Sequence, residues 1–357
     1  MEIEKEIFFF HCLKKITKGT CKFPDFPFLN KSEFTMKKTL LALAVASLST
    51  TAFATDISDQ FSTSATAGVG GYYDTEIDEA YDDWATALTV ASDYKNDNGV
   101  VGYLEVDLEL NWSTDEDKES SYEGPVTNKT NADVDKAWIG YDTGFGIASF
   151  GLENDTALDK VDGAGDTTYE FGSSAGDASD QFNVIKFEGA TSGVAYGISY
   201  FTTDADYDSA DLDNGKDKGV NGYVGFEQDT FNVYAGYETR DEADYQVFSV
   251  SGNATFSDLK VGVNAWINDG ETDSTDSTQK TKGYYVSAGY DVTEQLNLAV
   301  GYTDGVTEED GETDVDTTAV NVAAAYTYSD AFDMGMDVKY DTENEETYVF
   351  AVGYYHF

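Results

Sequence analysis

Between Val100 and Trp112 apolar and polar side chains alternate almost without a break. Val100, Gly102, Leu104, Val106, Leu108, Leu110 and Trp112 fall on one face, and Val101, Tyr103, Glu105, Asp107, Glu109 and Asn111 on the other. A period of two is that of a β-strand, whose successive side chains point to opposite sides. A greasy row backed by carboxylates suits a wall between lipid and water; the same row would also fit the edge of a soluble sandwich. The pattern recurs at Phe231–Tyr237, Leu259–Ile267 and Phe332–Tyr340. No apolar run after Leu48 approaches the roughly 18 residues a membrane helix requires. A chain like this enters a bilayer only as a closed barrel, because closure alone satisfies every backbone group.

Sixteen candidate strands can be placed, at 60–73, 81–93, 100–112, 132–142, 145–151, 181–189, 193–203, 219–228, 231–240, 245–256, 259–267, 283–290, 294–303, 317–328, 332–341 and 346–357. Their connections alternate in kind. Short turns such as Thr143-Gly144, Asp229-Thr230 and Ser257-Asp258 take turns with long acidic loops, among them TDADYDSADLDNGKDKG and DGVTEEDGETDVDT. That rhythm is the one an outer-membrane barrel has, and sixteen strands enclose an aqueous channel. One connection differs from the rest. Glu153–Asp180 is Gly-rich and carries eight carboxylates and one lysine, and a loop of that length in a compact domain has either a function or no fixed structure.

The start of the chain is read separately. Met36-Lys37-Lys38, the apolar run Thr39–Leu48 and Ala52-Phe53-Ala54 make the charged, greasy and small-residue parts of a secretory signal peptide over 36–54. Residues 1–35 read as an upstream extension foreign to the native protein, and 55–357 as the mature barrel. Residues 1–54 hold both cysteines and carry 8 of the 21 basic and 5 of the 68 acidic residues, leaving 13 basic against 63 acidic and a mature net charge of −50. Such a surface does not bind nucleic acid. Without cysteine, the mature chain has neither disulfides nor thiolate metal sites.

Three segments carry a resemblance. The chain ends in TYVFAVGYYHF, with Phe357 last and Tyr355 two before it; DKAWIGYDTGFGIASFG leads into the long loop; and TYEFGSSAG (168–176) lies within it. Together with the loop rhythm they resemble the Gram-negative general porins over essentially all of 55–357. The resemblance implies an all-β, transmembrane antiparallel barrel of about 16 strands in the outer membrane, assembled as a homotrimer. It further implies a long third loop folded into the lumen as the pore constriction, and recognition of Phe357 and Tyr355 by the barrel-assembly machinery. The family's acidic eyelet side carries over to Glu170 and Asp166. Asp155, Asp159 and Asp162 share the loop without a motif match.

The family's facing arginine cluster has no counterpart: the chain has one arginine, Arg240, and Leu152 follows Gly151 where the family often has Gly-Arg. Glu105, Asp107 and Glu109 on one strand face make an acidic pore wall instead. A carboxylate about 6 Å from an ion is worth roughly 0.7 kcal/mol in bulk water and roughly 3 kcal/mol at an intermediate dielectric. Two or three uncompensated ones favour cations by about tenfold or more. The expected function is a cation-preferring, water-filled channel for passive diffusion of small hydrophilic solutes. Two other readings stay open: an oligosaccharide-preferring channel, and a non-conducting receptor-like barrel that works through its acidic loops.

Other chemistry is weakly supported. Asp204, Asp206 and Asp208 begin like a calcium loop, but Ser209 and Gly215 stand where glycine and glutamate are needed. Divalent cations bridging the loops to lipopolysaccharide fit better than a dedicated metal site. The one mature histidine, His356, lies beside the C-terminus and offers no nucleophile–base pair. No enzyme activity and no cofactor are expected. Trp84, Trp112, Trp138 and Trp266 read as membrane-interface girdle or lumen packing, and a sugar slide would use the same residue types.

Overall fold

The computed structural model describes residues 60–114, 129–175, 180–202, 218–241, 245–271, 278–309 and 314–357. The signal segment, the upstream extension and the calcium-like triad Asp204, Asp206 and Asp208 lie outside the described residues.

Seventeen strand segments occur among the described residues. The first is β1 (Phe61–Asp74), followed by β2 (Glu79–Asp82), β3 (Ala87–Lys95), β4 (Val100–Ser113), β5 (Lys129–Asp142) and β6 (Ile147–Asp155). After the long loop come β7 (Asp180–Thr191), β8 (Val194–Thr202), β9 (Lys218–Gln228), β10 (Phe231–Arg240) and β11 (Gln246–Phe256). The chain finishes with β12 (Leu259–Glu271), β13 (Thr278–Asp291), β14 (Leu296–Glu309), β15 (Val315–Ser329), β16 (Phe332–Asp341) and β17 (Glu346–His356). From β3 onward each strand pairs antiparallel with the next in sequence, β1 pairs with both β2 and β3, and β17 pairs with β1 from Thr66↔His356 to Asp74↔Tyr348. That last ladder closes the sheet and removes both edges.

β2 and β3 occupy one stave, since both pair with β1 and with β4. The barrel therefore has sixteen staves, and the expected single strand over 81–93 is broken at 83–86. Asp82 causes the break. Its fully buried carboxylate accepts hydrogen bonds from the amides of Ala85 at 2.9 Å and Thr86 at 2.6 Å, offering the backbone a turn in place of the ladder. Elsewhere the strands run past their sequence-based limits into the acidic loops, β12 to Glu271 and β14 to Glu309. Polar sequence hides such extensions, because strand tips beyond the lipid have no apolar row.

The two faces separate as the alternation requires. Val69 (73% exposed), Ile139 (60%), Ile185, Ile198, Phe226, Val300, Val322 and Met336 point outward, while Ser199, Asn221, Glu238, Asn264, Asn321 and Asp337 on intervening positions are buried within. A continuous apolar surface of this extent is stable in lipid and not in water. Phe231, Phe256, Tyr290, Tyr328, Tyr355 and Phe357 are exposed at strand ends beside the short turns and form one aromatic row at that rim. Trp84, Trp138 and Trp266 take no part in it. Trp84 stacks on Phe350 at 5.5 Å, Trp138 on Tyr103 at 6.2 Å, and Trp266 packs against the buried cluster to which Leu158 and Val161 of the long loop belong.

Candidate functional site

Asp155 belongs to β6, where it pairs with Asp180 at the start of β7, so the loop proper spans 156–179. Between 156 and 175 its backbone has no partner strand, and a peptide without partners is costly wherever water is scarce. Side chains of the inner wall supply the missing bonds. Ser199 Oγ on β8 accepts from the amide of Ala157 at 3.0 Å. Asn253 on β11 donates to the Ala164 carbonyl at 2.8 Å, and Asn264 on β12 both accepts from the Gly165 amide (2.8 Å) and donates to the Ser173 carbonyl (2.9 Å). Ser287 on β13 donates to the Gly165 carbonyl and accepts from the Thr167 amide. Asp337 on β16 accepts from three successive amides, those of Tyr169, Glu170 and Phe171. Contacts to one face of so many staves of a closed ring place residues 156–175 inside it.

Two greasy feet hold the loop at separate places on that wall. A 3-10 turn at Leu158–Lys160 buries Ala157, Leu158 and Val161, with Ala175, against Ala195, Tyr223, Tyr234 and Val247 of β8–β11. Phe171 forms the second foot, among Tyr72, Tyr81, Tyr348 and Phe350. Glycines allow the close fit. A Cβ on Gly262 would stand 2.0 Å from the Gly165 carbonyl oxygen, and one on Gly335 would enter the Tyr169 ring.

The acidic residues named from sequence take distinct positions. Asp155 forms an ion pair with Lys136 of β5 at 3.0 Å. Asp159 and Asp162 are half-buried near the first foot. Burial pushes the Asp159 carboxyl up to about 6, with Asp155 and Asp162 adding to the rise, and burial likewise raises Asp162. Asp166 turns back on its own loop, accepting from the Thr168 amide and hydroxyl at 2.7 Å each. Glu170 accepts from the Tyr72 hydroxyl, which in turn accepts from Trp84 Nε1 at 2.7 Å. On the wall, Glu105 and Asp107 bring carboxylate oxygens within 4.8 Å of each other and of Asp135. The β4–β5 register slips between Glu105 and Asp107, which turns Asp135 into this group. Glu109 follows on the same strand face, opposite Asn131.

Among the described residues, the cations are spread over several staves, with Lys136 and Lys186 alone lining one recess. Lys136 lies on β5 and Lys186 on β7, where its Nζ is 3.6 Å from Glu188. Arg240 on β10 bonds Glu238 at 2.7 Å and stacks on Tyr245, and Lys339 on β16 lies over Phe171 and Tyr348. Sequence reasoning missed the wall residues that seat the loop. Asp337 sits opposite Met336 in a visible alternation, yet nothing local distinguishes it from other inward polar residues. The first foot had a signal in Ala157, Leu158 and Val161, an apolar helical-spaced trio within the acidic loop.

At the seam, the Phe357 amide donates to the Ala65 carbonyl at 2.9 Å, and its exposed ring packs edge-on against Tyr355 at 4.8 Å.

A closed sixteen-stave barrel, apolar outside and polar inside, with a long loop seated across its lumen, defines an outer-membrane channel of the porin class. The family model described as Gram-negative porin matches residues 39–347, and the chain belongs to that family. The fold is similar to that of Salmonella typhi OmpF, solved in complex with daunomycin, at 14% identity and a TM-score of 0.65 over 83% of this chain and 97% of that one. It is also similar to the trimer form of Vibrio cholerae OmpT (16%, TM-score 0.63, 83% and 99% covered) and to the anion-selective porin of Comamonas acidovorans (11%, 0.59, 83% and 99%). No curated protein sequence matches the chain.

Proposed function

We propose that this porin is a homotrimeric, cation-preferring channel through which small hydrophilic solutes diffuse passively across the outer membrane. The observation that carries the reading is an imbalance of charge along the lumen. Asp159, Asp162, Asp166 and Glu170 on the loop accompany Glu105, Asp107, Asp135 and Glu109 on the β4–β5 wall, Asp155 being paired with Lys136, and the chain has a single arginine. The loop's anchors run along β8–β13, β16, β17, β1 and β2, so the passage lies between the loop and β3–β6, where those wall carboxylates are. Charges that line a narrow, poorly screened passage select ions far more than a distant surface charge does. The shared fold does not set the sign, since one structural neighbour is an anion-selective porin.

The trimer rests on the trimeric form of a neighbour with the same fold. The exposed Tyr355–Phe357 pair at the closing seam supports recognition by the barrel-assembly machinery, and acidic loops fit divalent bridging to lipopolysaccharide. The reading is tested by the reversal potential of single channels in a KCl gradient. Cation preference is expected, and Asp166→Asn combined with Glu170→Gln should reduce it. Anion selectivity of the native channel would overturn the reading.

A further inference from the structure

One side of the lumen departs from the acidic surroundings. A recess of about 430 Å³ opens in the inner wall of β3–β7. That volume lies within the roughly 300–1,000 Å³ typical of small-ligand sites. Its floor is aromatic. The rings of Tyr103 and Trp138 stack at 6.2 Å with planes inclined by 26°, making one apolar patch. The Tyr103 hydroxyl donates to Glu105, so its polar end is already engaged.

Charge around the patch is paired. Lys136 binds Asp155 at 3.0 Å and Lys186 approaches Glu188 at 3.6 Å, while Glu188 also accepts from the Tyr223 hydroxyl at 2.7 Å. Asp93 stands at the short-turn edge. A site whose cations are matched by adjacent carboxylates gives little to an ion of either sign, but it offers donors and acceptors to neutral hydroxyls. One donor is unspent. Asn154 is 2% exposed and lines the recess, and its Nδ2 is buried without a hydrogen-bond partner. A buried amide donor left unpaired costs about 1–3 kcal/mol, so such a group points to a ligand that completes it.

We propose that this recess is a subsite for a neutral sugar, which lays its C–H face on Tyr103 and Trp138 and gives an oxygen to Asn154 Nδ2. Lys136, Lys186, Asp155 and Glu188 bond the peripheral hydroxyls. The subsite rests on the channel reading: a solute passing along β3–β6 pauses there, so that permeation of sugars saturates where that of salt does not.

The test uses full-length mature protein reconstituted in planar bilayers, with maltose and sucrose as probes, and the same protein in detergent for tryptophan fluorescence. Saturable block of the ion current by either disaccharide is expected. Trp138→Ala should weaken it about tenfold and Asn154→Ala about threefold, the factors for a lost stacking face and a lost hydrogen bond. Trp138→Phe guards against failure of the alanine variant to fold: it keeps a flat ring and should retain block while removing the sugar-induced emission change. An open channel with neither block nor emission change overturns the subsite and leaves the channel intact. A saturable emission change that Asn154→Ala weakens, in a barrel that does not conduct, supports the subsite and overturns the channel reading instead.

Discussion

Oδ2 of Asp337 on β16 lies 3.0 Å from the backbone nitrogen of Glu170 in the inserted loop. The same oxygen also accepts from the amides of Tyr169 and Phe171, and Asn321 Nδ2 bonds the carboxylate from the wall side. One fully buried carboxylate thus neutralises a run of orphan amides and pins the motif YEFG against β16.

Asp337→Ala should therefore unlatch the loop's far end. Hydrogen bonds to a charged acceptor contribute about 1.5–3 kcal/mol each to stability at most, enough to make an undocked loop a visible minority. Open-channel current is expected to become noisier, and cleavage within 156–175 by added protease faster. Asp337→Asn keeps an acceptor without the charge and should fall between. Quiet native-like currents in the alanine variant would show that the two greasy feet suffice.

The Asp159 carboxyl, raised to about 6 chiefly by burial, gives the pore a pH response. A carboxyl whose folded pKa exceeds its unfolded value favours the seated loop more as pH falls through that value, because protonation removes an unfavourably buried charge. Above about 6 the group is ionised and adds to the attraction for cations; below it the charge is lost. Cation preference should fall as pH is lowered from 7 to 5, while resistance of the loop to protease rises. Asp155, Asp162, Lys136 and Lys186 all act on this carboxyl, so the control is Asp159→Asn, in which the step near pH 6 should be missing.

The barrel itself was legible because lipid outside and water inside impose a period of two on every membrane-crossing strand. Leu104 and Leu110 face out and Glu105 and Asn111 face in, as their alternation required. The break in the second stave was hidden, since residues 83–86 read as strand and only the buried Asp82 carboxylate redirects the amides of Ala85 and Thr86. The loop's path was legible as an interruption but not as a set of contacts. Asn264, Ser287 and Asp337 lie about 100 to 170 residues from the amides they bind, and no local pattern encodes a partner at that distance. Nor does spacing reveal that Asp166 folds onto Thr168 while Glu170 is bonded by Tyr72.

Glu238 is fully buried on the inner wall, held by Arg240 Nε at 2.7 Å and by Asn221 Nδ2 at 2.9 Å. Removing one member of a buried pair strands the other, at about 3–5 kcal/mol. Arg240→Ala should lower the temperature at which the folded gel band converts to the unfolded one. Arg240→Lys restores the charge but not the planar fork and should recover part of the loss. The double variant Arg240→Ala with Glu238→Gln should recover more. If the single alanine variant melts like the native barrel, the pair has no structural weight.

Backbone proximity between loop and wall gives the sharpest test of what the loop does. A Cβ added to Gly262 would meet the Gly165 carbonyl oxygen at 2.0 Å, its carbon at 2.7 Å and its Cα at 3.1 Å. All three are backbone atoms, so no side-chain rotation relieves the overlap, and β12 is fixed by ladders to β11 and β13. The loop must yield, and in yielding it stretches the bonds that Asn264 and Ser287 make to Gly165. Gly262→Ala leaves every charge in the lumen in place and changes only where the loop sits. If the seated loop narrows the passage and brings its carboxylates close to passing ions, this variant should conduct more and prefer cations less, because Coulomb attraction falls with distance and screening grows as the passage widens. Unaltered conductance and selectivity, with a loop shown by crosslinking to have moved, would remove the loop from the constriction and leave selectivity to the acidic wall of β4 and β5.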